Sequence, residues 1–394
     1  MTSALLGIIY LAFVSLGLPD GLLGAAWPVM HVNIGANVSL AGVVSMVICL
    51  GTITSSLLTV QLVRRLGPGR LTAISVALTA AALFGFSASA AFWQLVAWAI
   101  PYGLGAGAVD AALNAYVATH FAARHMNWLH CCWGIGAAGG PMLMSWQMAG
   151  ESGWPGGYHI VGVIQVVLAA VIVVSLPLWH DRTDSAGHDE RHASPSRREL
   201  LRLPGARLAM VGFLCYCALE SSCGLWASTF LVLGHDVSEQ TAALLSALFY
   251  AGITVGRFFS GVLTPRLDGR QLLRLGETTL ACGVAIVLVM GDAVGLGVGL
   301  ALLGLGCAPI YPQMIQLTPE RFGSQNAQSL MGLQMACAYV GSMAFPPLMG
   351  ILVERVSPLL LPVVAAGLLA LMAACLASCD RRVAETRKAT HPDR

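Results

Sequence analysis

The sequence predicts an all-α integral membrane protein of twelve transmembrane helices, arranged as two six-helix bundles related by pseudo-symmetry. Three observations carry this. Of 394 residues, 57% are hydrophobic and only 10% charged, with a mean hydropathy of +0.75, whereas soluble domains carry about 25% charge because water covers their surface. The apolar residues form runs of membrane-spanning length. Arginines fall almost wholly in alternate loops.

A membrane-crossing helix needs about 20 mainly apolar residues. Such runs lie near 5–32, 39–62, 70–90, 92–120, 127–149 and 158–179, then near 207–233, 240–263, 271–291, 293–317, 325–350 and 357–379. The short Gly-rich turn around Asp292 is the slightest division between them. The units are therefore 1–180, a first bundle; 181–206, a polar linker; 207–380, a second bundle; and 381–394, a tail. The first run begins near Leu5 without a basic n-region and continues past Asp20, too long for a secretory signal.

Charge placement tests the count independently. Arg64, Arg65, Arg70, Arg124, the linker arginines from Arg182 to Arg207, Arg266, Arg270, Arg274, Arg321 and the tail cations share one side of a twelve-span layout. The other side holds Arg355 among the acids Glu151, Asp236, Glu239, Asp292 and Glu354. The positive-inside rule then places both termini and the linker in the cytoplasm, and the expected location is a bacterial inner membrane.

The two halves repeat at an offset of about 200 residues. Asp20 and Gly24 fall on Glu220 and Gly224, and Gly103-Leu104-Gly105 falls on Gly304-Leu305-Gly306. Gly69-Arg70 falls on Gly269-Arg270, and Pro141 on Pro347. A parallel six-helix repeat with this topology resembles the major facilitator superfamily. Gly256-Arg257-Phe258-Phe259-Ser260-Gly261 followed by Arg266 resembles that superfamily's cytoplasmic loop signature, although the acid of the signature is replaced around Arg64 and Pro265. Span 4, running from Gly103 to Asp110 with Asn114 beyond, and span 5, from Trp128 to Pro141, resemble the fucose–proton symporters and the sodium-dependent glucose transporter-like proteins.

Three acids lie deep in spans: Asp20, Asp110 and Glu220. A charge at mid-membrane costs roughly 3 kcal/mol on insertion scales, so such groups face a cavity or a partner. A carboxyl group in a poorly hydrated cavity is pushed toward its neutral form, which lets it load and release a proton. The resemblance implies proton coupling at Asp110 and solute contact at Asp20; a static hydrogen bond between helices is the plain alternative for each acid. Asn114 shares the helix face of Asp110 and can orient it or bind a hydroxyl.

His130 suits solute binding, proton relay or simple packing. Trp27, Trp226 and Tyr311 lie on spans that line the superfamily's cavity, and their rings suit stacking on sugar C–H surfaces or anchoring at the membrane interface. Gln313 and Gln334 are amides where apolar residues would cost less, which suits contact with solute, and Arg257 is expected to snorkel or to latch the cytoplasmic gate. The eleven cysteines form no CxxC pair or zinc-spaced cluster, there is no Walker A loop, and no nucleophile–base set suggests an enzyme. No metal or organic cofactor is expected, only a proton or sodium ion as coupling ion. A net charge of +2 does not suggest a nucleic-acid partner. The resulting expectation is a monomeric secondary transporter, embedded in lipid, moving a sugar or other small polar solute. The rivals are an efflux transporter for drugs or metabolites and a non-transporting membrane sensor.

Overall fold

The computed structural model describes residues 2–121, 123–179 and 197–390, and every regular element among them is helical. The first half comprises α1 (Thr2–Gly17), α2 (Leu22–Asn33), α3 (Leu40–Leu66), α4 (Pro68–Ser87), α5 (Phe92–His120), α6 (Ala123–Met148) and α7 (Gly153–Ser175). After the short α8 (Arg197–Leu200) come α9 (Ala206–His235), α10 (Glu239–Leu263), α11 (Gly269–Val289), α12 (Ala293–Phe322), α13 (Ser324–Arg355) and α14 (Leu360–Thr390). With α1 and α2 counted as one span, eleven helical stretches among the described residues are long and apolar enough to cross a membrane. The twelfth, α6, has 26 residues but is diluted by His125, Asn127, His130, Gln147 and several glycines. Asp292 divides α11 from α12, its carboxylate accepting the Gly295 N–H at 3.0 Å as a helix cap.

Two boundaries differ from the sequence reading. Helix α14 runs on through 381–390, so much of the expected tail continues the last helix. The linker expected over 181–206 falls mostly outside the described residues; from 197 it holds α8 and tight turns, with Arg207 Nε donating to the Leu201 carbonyl at 3.0 Å.

The first span is also broken, at residues 18–21. Pro19 has no N–H to give the Ser15 carbonyl, and a buried orphan acceptor in lipid would be expensive. Gln165 of α7 supplies the missing donor, Nε2 to Ser15 O at 2.7 Å, while its Oε1 accepts from Thr79 at 3.4 Å. The break sets Asp20 between two helix ends rather than within a helix.

Lipid-embedded helices associate by close packing rather than by a hydrophobic drive, so glycine governs which of them meet. Gly103 of α5 lies against the backbone of Ile48 on α3, and Gly105 against Ser75 of α4. In the second half Gly304 of α12 lies against Phe249 of α10, and Gly306 against Leu280 of α11. The repeated Gly-Leu-Gly thus makes the same pair of helix contacts twice.

The halves meet along a seam on the face opposite the termini. There a Cβ on Gly24 would lie 2.7–2.8 Å from the carbonyl oxygens of Leu225 and Gly224, and Gly42 abuts Pro346 and Pro347. Ser39 N donates to Glu354 at 3.1 Å and Ser145 Oγ to the Gln240 carbonyl at 2.8 Å. On the termini face of the second half, Arg270 pairs with Glu320 and Arg321 with Asp380, each at 2.9 Å.

Candidate functional site: a cavity between the halves

Below the seam a cavity of about 1200 Å³ lies between the bundles, its walls reaching Thr264 and Gln316 toward the termini face. All three deep acids, Asp20, Asp110 and Glu220, line it, as do His130, Arg257, Tyr311 and Gln313.

On the first-half wall, Asp20 projects from the α1–α2 break and is exposed to the cavity. Its Oδ2 accepts the indole N–H of Trp133 at 2.7 Å and its Oδ1 the phenol of Tyr102 at 3.3 Å. Asp110 stands two turns along α5 from Tyr102; Asn114 Nδ2 donates to its Oδ1 and to its backbone carbonyl, both at 3.0 Å. His130 presents its ring edge-on to Phe13, centroids 6.0 Å apart.

On the opposite wall Glu220 is half-buried on the unbroken α9. Arg257 of α10 lies within electrostatic reach of it and rests over the Trp133 ring, Cζ to centroid 4.8 Å, within the cation–π range of about 6 Å. Arg257 therefore faces the cavity wall, two turns inside the end of α10. Tyr311 donates to Met335 Sδ at 3.0 Å and packs on Phe213 at 5.0 Å. Gln313 is 4% exposed, and its Oε1 finds no partner among the described residues.

Four residues expected at the cavity lie elsewhere. Trp27 and Trp226 are both fully buried at the seam, donating to the carbonyls of Val38 at 2.7 Å and Pro346 at 3.0 Å. Their helices do line the cavity; the glycine contacts of the seam turn these rings into the packing. Gln334 is sealed between α12 and α13, accepting from Thr318 at 2.9 Å. Asn114 touches the cavity only through Asp110. Sequence reasoning passed over Tyr102, Trp133 and Tyr250, all of which line it. Tyr102 was legible as a hydroxyl two turns from Asp110; Trp133 is placed by the α1–α2 break and by Arg257 of the other half, which no local sequence signal marks. Among the described residues no group of three or more His, Cys, Asp or Glu side chains could hold a metal ion.

The cavity sets three carboxyl groups and one guanidinium among hydroxyls and aromatic faces. Such a set can hydrogen-bond a hydroxylated solute, stack on its apolar face, and hold or release a proton.

A family profile described as Major Facilitator Superfamily matches residues 9–346 and again 235–393. The chain is 24% identical over 349 residues to "Membrane protein MosC" of Rhizobium meliloti, covering 86% of this chain and 82% of that protein. It is 24% identical over 389 residues to "Bypass of stop codon protein 6" of Saccharomyces cerevisiae, covering 87% and 76%. Among solved structures, a point mutant of the nucleoside transporter NupG superposes with a TM-score of 0.79 at 14% identity, covering 94% of this chain and 98% of that one. A bacterial homologue of the lysosomal transporter Spinster, inward-facing and unoccupied, gives 0.71 at 13% identity, covering 97% and 95%.

Proposed function

The chain belongs to the Major Facilitator Superfamily, and from that premise we propose that it carries a sugar or similar small polar solute through the central cavity by alternating access, driven by a proton gradient. The observation that carries this is the convergence of Asp20, Asp110 and Glu220, from both halves, on one cavity between the bundles. Such acids are expensive in lipid and mark solute and ion paths. Asp110 is the coupling group and Asn114 holds it; Asp20 contacts solute, and Glu220 answers it from the other half. One bundle rocks on the other around this midplane site. The arginine-rich face is cytoplasmic, both termini lie there, and the membrane is a bacterial inner membrane. The chain acts as a monomer. The preference for a sugar rests on the likeness of segment 103–141 to the fucose–proton symporters.

Counterflow in proteoliposomes tests the reading. Vesicles preloaded with one unlabelled sugar from a panel should accumulate the same sugar labelled from outside. Binding without any exchange would identify a sensor. Exchange of hydrophobic cations in place of sugars would favour an efflux transporter.

A further inference from the structure

Trp133 lies where three helices converge. Its backbone carbonyl touches Gly17 of α1, and the next residue, Gly134, touches Thr254 of α10. Its ring packs against the hydrophobic cluster that spans the seam and against the separate cluster on the termini side of the first half. Two polar contacts leave the one indole in different directions. The N–H reaches Asp20 Oδ2 at 2.7 Å, the length of a charge-assisted hydrogen bond. The ring face carries Arg257 of the other half at 4.8 Å, and Arg257 in turn acts on Glu220. The indole thus bridges Asp20 of the first half and Arg257 of the second, and Arg257 lies within electrostatic range of Glu220 without a direct ion pair among the described residues.

We propose that Trp133 is a positioning residue that ties the acid of the first half to the cation of the second and so makes the placement of the halves answer to the state of Asp20. This rests on the alternating-access reading. An interaction made in one arrangement of two bodies and weakened in another biases the population toward the first. A solute that offers a hydrogen-bond donor to Asp20 competes with the indole N–H, and an indole released from Asp20 no longer presents its face to Arg257. Space-filling between α1, α6 and α10 predicts neither dependence.

The test uses the full-length protein without any solute. Cys49 lines the cavity on α3, whereas Cys282 is exposed on α11. The rate of alkylation of Cys49 by N-ethylmaleimide, read by peptide mass mapping with Cys282 as internal reference, reports how open the cavity is. Trp133→Leu and Arg257→Gln should each change that rate by about threefold to tenfold, the range a partly desolvated cation–π contact supports, and the double variant no more than either single one. Trp133→Phe keeps a ring but loses the N–H, so it guards against misfolding; combined with Asp20→Ala it should add nothing to Asp20→Ala alone. Additive changes in both cycles, or Cys49 rates equal to wild type in all variants, would overturn the proposal. Coupled cycles in a protein that fails counterflow would keep the bridge and remove the transport reading.

Discussion

Asp110 and Asp20 share a cavity but keep different company, and the difference makes the roles proposed for them separable by mutation. Asp110 is held by a neighbour on its own helix, both bonds from Asn114 lying within α5. An Asp110→Asn replacement keeps the shape and cannot release a proton. Uptake driven by an imposed pH gradient should be lost while equilibrium solute binding survives; unaltered uptake would move coupling to Glu220, His130 or a sodium ion. Asp20 holds donors from two other helices, α5 and α6. A neutral amide accepts a solute hydroxyl less strongly than a carboxylate does, and hydrogen bonds to charged groups are worth about 1.5–3 kcal/mol. Asp20→Asn should therefore weaken solute binding by about tenfold or more, measured by titration calorimetry once counterflow has named a solute. The deep acids were legible because a carboxyl group in an apolar run is conspicuous. Trp27 and Trp226 misled because an aromatic residue suits lipid, cavity and core alike, and facing is decided by how α2 and α9 meet at Gly24 and Gly224, far apart in sequence.

Among elements, the long apolar runs were legible to within about five residues except at the end of α14, since length and hydropathy alone define them, whereas α14 continues through polar residues as far as Thr390. The break in the first span was not. Pro19 was visible, but prolines also lie inside α2, α5, α6, α12 and α13 without dividing those helices. At Pro19 the freed Ser15 carbonyl is satisfied from α7 by Gln165, itself 2% exposed. Gln165→Leu should leave that carbonyl without a donor, at a cost of about 1–3 kcal/mol. The melting temperature of the purified protein should fall, and a larger fraction should run aggregated on gel filtration. An unchanged melting temperature would mean that water or lipid headgroups reach the break.

At the scale of the whole molecule, the arginine distribution and the repeat were both readable from the chain. What it hid was which face is closed: the seam is made by glycines meeting backbone, a shape property without a charge or hydropathy signal. Orientation in the membrane is open to a direct check. Reporter fusions at Arg182 and after Arg394 should be active in the cytoplasm, and one beside Asp236 should be active only outside it. An external signal at Arg182 would overturn the span count as well as the orientation.

Gly24 places no atom between its own backbone and the carbonyls of Gly224 and Leu225, so for an evolving chain the seam is a one-way door. Every codon change that replaces this glycine adds a carbon where backbone already stands. The outer surface obeys no such limit: Val174 and Val289 are 81% and 77% exposed, and in lipid one apolar side chain serves there about as well as another. Substitutions are therefore expected to accumulate on the outside of each bundle and to be turned back at the seam. Two halves of common design can drift until little sequence likeness is left between them, while their glycines still meet across the same line.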